Sequence, residues 1–217
     1  MKFADAFTFV FQDQDWFKKI IIPGLVGILI PIIGQILLLG WSLKVTLNVI
    51  RKNPNPLPEM DFGDDLARGF KAWVVGLVYS IPMLILLLPF FILTFSTSGS
   101  NDQSMGFVLG IAGVCFGIFM FIYGIIMGLM LPAAYARVAV EDSIGAGLAF
   151  GEIFKMVKDN LAAYLLVLVG TIAASFISSL GSIACFVGIF VTAPYSFAIM
   201  GHLYGQAYLE AKEIKTF

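Results

Sequence analysis

The stretch IPIIGQILLLGWSLK, Ile30–Lys44, decides the fold. It lies inside an apolar run, Ile20–Ile50, that is too long for one membrane span and short for two. Pro31 and Gly34 interrupt the run and predict two helical arms joined by a turn. At 1.5 Å per residue the arms are only about 17 and 24 Å long. They form either a shallow, re-entrant hairpin or one that thins the bilayer.

The composition identifies the class of protein. Of the 217 residues, 59% are hydrophobic and 12% are charged, and the mean hydropathy is +0.95. Soluble domains have about 45–50% apolar and about 25% charged residues. The excess of apolar residues therefore predicts an integral membrane protein with several spans, whose main partner is the lipid bilayer. The net charge of −1 gives no indication of nucleic-acid binding.

The remaining apolar segments predict an all-α membrane fold of about six helices arranged as three hairpins, of which the first is the ambiguous one. The other four predicted spans are Ala72–Phe95, Met105–Val138, Leu161–Leu180 and Ser182–Tyr208. An amphipathic interfacial helix is predicted before each hairpin, at Phe3–Phe17, Asp61–Lys71 and Ile144–Lys158. The chain thus reads as one membrane domain of three repeated modules, 1–53, 54–141 and 142–217.

The basic residues predict the orientation. In the six-span scheme every Lys and Arg falls on one side or at the helix ends that lead into it. The loop on the other side, Ser96–Ser104, has none. Because loops rich in Lys and Arg stay in the cytoplasm, both termini are expected to be cytoplasmic. A five-span scheme would instead place Lys2, Lys18 and Lys19 outside.

One group of polar residues near the predicted cytoplasmic ends is a candidate site. Lys44, Asn48 and Arg51 follow each other at i, i+4 and i+7, so they share a helix face. His202 and Gln206 occupy the corresponding part of the last helix. With Arg137, these residues are candidates to hold an anionic headgroup or substrate. The alternative is that Lys44 only marks the end of a span and extends its ammonium group to the interface.

A row of glycines marks one face of the helix predicted at 105–138. Its members are Gly106, Gly110, Gly113, Gly117, Gly124 and Gly128. Membrane helices use such faces for close packing. The sequence favours another helix of the same chain as the partner, and a second copy of the chain is the alternative.

The sequence offers little catalytic chemistry. A single histidine and the absence of metal-binding spacings predict no metal and no cofactor. Asp61, Asp64 and Asp65 could bind a cation, but their place at a helix N-terminus favours a structural role. No nucleophile stands beside a base, so the chain is predicted not to be an enzyme.

Several motifs resemble those of one family. They are the LPE stretch and the glycines that follow it, together with a Pro–Gly break and a Gly–aromatic pair in the first apolar run. The residues that carry the likeness are Leu57, Pro58, Glu59, Asp61, Gly63, Gly69, Pro82, Pro31, Gly34, Gly40 and Trp41. In these features the chain resembles the prokaryotic multipass membrane family called domain of unknown function four-zero-one-three. Met60 stands where an aromatic residue is common. The resemblance implies a bacterial or archaeal plasma membrane, and no activity or ligand.

These observations predict a non-enzymatic protein that organises the membrane, interacts with lipids, including anionic ones, or scaffolds partners, including copies of itself. The alternative is a small-solute or lipid transporter built from repeated hairpins with half-broken helices. Prolines at 31, 82, 89, 132 and 194 favour the transporter. The scarcity of polar residues inside the spans counts against it.

Overall fold

The computed structural model describes residues 1–97, 103–183 and 188–213 of the chain. All regular structure in these ranges is helical. A 3-10 turn, Phe9–Gln12, follows the first helix. The α-helices are α1 Asp5–Thr8, α2 Trp16–Leu29, α3 Ile33–Ile50, α4 Phe62–Thr97, α5 Gln103–Glu141, α6 Ile144–Gly147, α7 Phe150–Asp159, α8 Leu161–Ile183 and α9 Ile189–Glu213.

Four helices in the described part of the chain are long and apolar enough to cross a membrane. The spanning segments are Ile33–Ile50, Phe62–Thr97, Gly106–Glu141 and Leu161–Gly181. The prediction of an all-helical membrane protein is therefore confirmed, at four candidate spans rather than six. Of the two other predicted spans, the first falls on α2, whose 14 residues reach only about 21 Å. The second, Ser182–Tyr208, lies partly outside the described residues.

The first apolar run is broken where Pro31 and Gly34 predict it. Helix α2 ends at Leu29 and α3 begins at Ile33, and the two helices pack against each other. A side chain at Gly34 would place its Cβ 2.4 Å from the carbonyl oxygen of Val26. Only glycine therefore allows the start of α3 to lie this close to α2.

Helix α3 is the centre of the bundle and contacts α2, α4 and α9. It crosses α4 with the two backbones in contact, because both helices have a glycine at the crossing. A Cβ on Gly40 would lie 1.8 Å from the carbonyl oxygen of Asp65, and one on Gly69 would lie 1.9 Å from that of Ile36. Against α9, Thr46 Oγ1 donates a hydrogen bond to the Gly201 carbonyl oxygen at 2.9 Å. Small residues and hydroxyl groups thus hold this junction together.

The three predicted interfacial helices have different bounds in the structure. Phe3–Phe17 comprises α1, the 3-10 turn and the beginning of α2, and Asp61–Lys71 runs directly into α4. Ile144–Lys158 is divided into α6 and α7. On α7, Phe150 and Phe154 are 47% and 59% exposed. Its buried apolar side chains are Ile153, Met156 and Val157.

The prolines predicted to break the later helices do not break them. Pro82 and Pro89 lie within α4, Pro132 within α5 and Pro194 within α9. A packed membrane helix tolerates proline because neighbouring groups satisfy the carbonyl that proline, which has no N–H, leaves without its hydrogen bond.

The second half of α4 and the first half of α5 extend away from the bundle and pack against each other; we call these the distal halves. No residue in the most apolar window of α5 is buried, and in α4 the buried share is 11%. Phe90 and Phe116 stack between the two helices with ring centroids 4.6 Å apart. The hydroxyl of Tyr123 donates to the carbonyl oxygen of Tyr79 nearer the bundle. Each helix therefore covers one face of the other, and the remaining faces are exposed.

Candidate functional site

Lys44 is paired with a buried carboxylate that lies against it from α4. Its Nζ is 2.8 Å from Oδ1 of Asp65, which has no exposed surface. The other oxygen of Asp65, Oδ2, accepts a hydrogen bond from the Asp61 backbone N–H at 2.8 Å. The contact between Gly40 and the Asp65 backbone brings this carboxylate to α3. The positive charge of Lys44 is therefore compensated by Asp65 inside the protein, and not by water at the end of a span.

The three acidic residues of this segment have different roles. Asp61 caps α4, because its Oδ1 accepts the Asp64 backbone N–H at 3.0 Å. The same hydrogen bond lowers the pKa of the Asp61 carboxyl. Asp64 lies 3.2 Å from Nη2 of Arg68. The predicted structural role of the cluster is confirmed at Asp61, and Asp65 adds an ion pair that the sequence did not reveal.

Asn48 binds the proline-rich linker. Its Nδ2 donates to the Pro56 carbonyl oxygen at 3.1 Å. Lys19 Nζ donates to the next carbonyl oxygen, that of Leu57, at 3.3 Å, and Trp41 Nε1 donates to the following one, that of Pro58, at 3.1 Å. Three consecutive carbonyls are thus bound by side chains of α2 and α3. We call residues 56–58 the strap.

The strap also contributes to the core. Leu57 is 2% exposed and packs in a cluster with Phe9, Ile20 and Trp41. Lys19, which holds the strap, forms an ion pair at 2.7 Å with Asp13, a carboxylate that is 3% exposed. The LPE stretch therefore closes the bundle over the beginning of α2 and the middle of α3.

Arg137 fastens the segment after α5 to the bundle. Its guanidinium group lies 3.0 Å from Glu141 on the same helix and 2.6 Å from Glu152 on α7. Nearby, Lys71 of α4 forms an ion pair at 2.7 Å with Asp142. Arg51, by contrast, is exposed at the end of α3.

His202 and Gln206 contact the N-terminal segment. The Gln206 side chain accepts the Lys2 backbone N–H at 2.8 Å and donates to the Lys2 carbonyl oxygen at 3.0 Å. His202 stacks on Phe9 with ring centroids 4.4 Å apart. Both residues line a cavity of about 590 Å³ that Lys2 and Lys52 also line.

The six residues predicted as one site therefore do not converge. Lys44 pairs with Asp65, Asn48 binds the strap and Arg137 binds two glutamates, while His202 and Gln206 line one cavity. The sequence could not show this, because helical spacing places residues on a face but does not identify the neighbouring helix. Among the described residues, no group of three His, Cys, Asp or Glu side chains is placed to hold a metal ion.

Most of the glycine row of α5 contacts nothing in the described part of the chain. A Cβ on Gly106, Gly110, Gly117 or Gly124 would meet no atom within 4 Å. At Gly113 the nearest atom belongs to Phe90 at 4.0 Å, and at Gly128 it belongs to Leu168 at 2.5 Å. The prediction that another helix of this chain packs on the row is thus wrong for its distal part.

These features define an all-helical membrane protein in which the buried charged side chains of the described residues, Asp13, Asp65 and Arg137, each have an ion-pair partner. The chain belongs to a family described as protein of unknown function, DUF4013, which matches residues 24–187, well over half of its length. The family predicted from the LPE stretch and the Pro–Gly break is confirmed. No curated protein and no solved structure matches the chain.

Proposed function

We propose that the chain is a non-enzymatic membrane-organising protein that presents its α4–α5 hairpin to neighbouring membrane segments. In this proposal it crosses a prokaryotic plasma membrane six times, with both termini in the cytoplasm. The observation that carries the proposal is the division of the described residues into a polar, fastened end and a bare apolar end.

At the fastened end, the buried charges serve the fold. Asp13, Asp65 and Arg137 are the buried charged side chains of the described residues, and each has an ion-pair partner at 2.6–2.8 Å. A buried charge that already has its partner is poorly suited to binding a substrate, because an ion pair must be broken first. This pairing favours a structural use of the charges over catalysis or transport.

At the bare end, the hairpin offers large apolar faces. Phe107, Val114 and Phe121 of α5 are 71%, 63% and 71% exposed, and Ile85 and Phe91 of α4 are 61% and 60% exposed. In a bilayer such faces contact lipid or another membrane helix, and packing between helices is the main attraction there. We infer that this hairpin is where other membrane segments, including second copies, associate.

The transporter alternative receives less support. It expects helices broken near the middle of the membrane, with unwound backbone that faces the substrate. Pro82, Pro132 and Pro194 lie instead inside continuous helices.

Cross-linking at Cys115 tests the proposal, because this cysteine is exposed on α5. In a Cys185→Ser background it is the only thiol. We expect Cys115 to cross-link between chains in liposomes, and the yield to persist as the protein is diluted with lipid. Gly117→Leu should lower that yield, whereas Gly151→Leu on α7, equally free of contacts, should leave it unchanged.

Two results would count against the proposal. The first is a protein that stays monomeric at every lipid ratio and leaves the shape of the liposomes unchanged. The second is a solute flux in the same liposomes that is lost in Lys44→Ala, which would favour the transporter.

A further inference from the structure

The cavity of about 590 Å³ beside the N-terminal segment has the properties of a ligand site. Its volume falls in the range of about 300–1,000 Å³ that is usual for such sites. The lining combines apolar side chains, among them Val49 and Leu209, with groups of both charges. The charged groups that line it are the Met1 amino terminus, Lys2, Lys52, Asp5 and Glu210.

One polar side chain in this lining is held in place and keeps a free donor. His202 is 7% exposed, and its ring is fixed by stacking on Phe9. The Gln206 side-chain oxygen accepts the Lys2 backbone N–H, so its nitrogen is the donor that lies 3.1 Å from His202 Nδ1. Nδ1 therefore accepts, and the proton of the neutral imidazole is on Nε2. No acceptor for Nε2–H is found in the described part of the chain.

The lining carries three positive groups and two negative ones, and one of its ion pairs is loose. Glu210 is held by the Met1 ammonium group at 2.9 Å. Asp5 and Lys2 are 4.0 Å apart, and their side chains are 53% and 84% exposed. An exposed ion pair of this kind contributes little to stability. A ligand can therefore replace Asp5 as the partner of Lys2, and Lys2 as the partner of Asp5. A ligand with a single negative charge would meet the Asp5 carboxylate, whereas a zwitterion would satisfy both groups.

We propose that this cavity binds a phosphodiester next to an ammonium group, as in the headgroup of phosphatidylethanolamine. The Nε2–H of His202 and the ammonium group of Lys2 donate to the phosphate oxygens. The Asp5 carboxylate accepts from the ammonium group of the ligand. Val49 and Leu209 contact the apolar part that follows. The inference does not depend on whether the α4–α5 hairpin associates with partners.

Native mass spectrometry of the full chain tests the site by titrating phosphatidylethanolamine against phosphatidylglycerol. We expect one phosphatidylethanolamine per chain, bound in preference to phosphatidylglycerol. His202→Phe keeps the stacked ring and loses the donor, and should weaken binding about tenfold, as for a hydrogen bond to a charged group. Asp5→Asn should remove the preference between the two lipids. Lys155→Ala, an exposed lysine on α7, is the control and should bind as the wild type does.

The thermal unfolding of each variant in detergent shows whether it is folded, and Asp5→Asn carries the test if His202→Phe is not. Equal retention of the two lipids by the wild type would overturn the proposal, as would unaltered binding and preference in both variants. Soluble glycerophosphoethanolamine distinguishes the sources of the headgroup. Displacement of the lipid by this ester supports the site with a soluble ligand, and retention of the lipid supports the site with a membrane ligand.

Discussion

Replacing Lys44 by methionine should destabilise the protein by about 3–5 kcal/mol, the usual cost of removing one partner of a buried ion pair. Methionine retains an unbranched apolar stem, so the main loss is the charge. The substitution leaves Asp65, which has no exposed surface, with the Asp61 backbone N–H as its remaining hydrogen-bond partner. A buried carboxylate in that state is poorly compensated.

Replacing the partner instead, in Asp65→Leu, should lower the free energy of unfolding by less, about 1–3 kcal/mol, which is the range for a lost buried hydrogen bond. Lys44 is 16% exposed, and its flexible stem can carry the unpaired ammonium group towards water. The double variant should recover most of the loss, because replacing both members of a buried pair by apolar residues is often neutral or stabilising by about 1–4 kcal/mol. The two substitutions are thus expected to be strongly non-additive.

Equilibrium unfolding in mixed micelles, followed by tryptophan fluorescence, measures the three free energies. Trp41 is fully buried next to the crossing of α3 and α4 and reports on it. Lys155→Met is the matched control and should change stability by less than about 0.5 kcal/mol, since its side chain is exposed. The reasoning is refuted if Lys44→Met is as stable as the wild type, or if the single effects simply add in the double variant.

Four other substitutions test the packing and the hydrogen bonds. Gly40→Ala should destabilise the protein by about 3 kcal/mol or prevent folding, because the new Cβ would overlap the backbone of α4. Gly117→Ala, whose Cβ meets no atom, should be neutral or stabilising by up to about 1 kcal/mol. Unfolding curves compare the two variants. Trp41→Phe should cost about 2 kcal/mol and raise amide exchange in the linker, since it releases the carbonyl of Pro58; unchanged exchange would show that the strap is held otherwise. Tyr79→Phe should change stability by less than about 1 kcal/mol in the same unfolding assay, because its buried hydroxyl has no hydrogen-bond partner in the described chain; a larger loss would reveal one.

The features that were predictable from the sequence are those set by local chemistry. Composition gave the membrane class, and Pro31 with Gly34 gave the break between α2 and α3, because both residues act within one turn of where they stand. The cap at Asp61 was predictable for the same reason. Proline was a poor guide later in the chain, since Pro82 and Pro132 lie within continuous helices whose neighbours compensate for them.

The site residues were not predictable, because their partners are distant in the sequence. Lys44 and Asp65 are separated by the linker and meet only because Gly40 and Gly69 let α3 and α4 touch. The glycines were visible as family features, and the aspartate as a helix-terminal residue. Nothing in either pattern states that one glycine faces the other. A lysine inside an apolar helix, followed by an aspartate at the start of the next helix, is nevertheless a signal that could have suggested an ion pair.

The hydrogen bonds to the strap and the ion pair between Lys44 and Asp65 lie together at one end of the bundle. In lipid, apolar surfaces gain little from packing against each other, so hydrogen bonds, ion pairs and close backbone contacts must fix the arrangement of the helices. Lys19, Trp41 and Asn48 supply donors to the strap, and Lys44 supplies the charge that Asp65 needs. The distal α4–α5 hairpin has no comparable fastening to the rest of the described chain. Its faces are therefore exposed, as the proposed association with lipid or a partner requires.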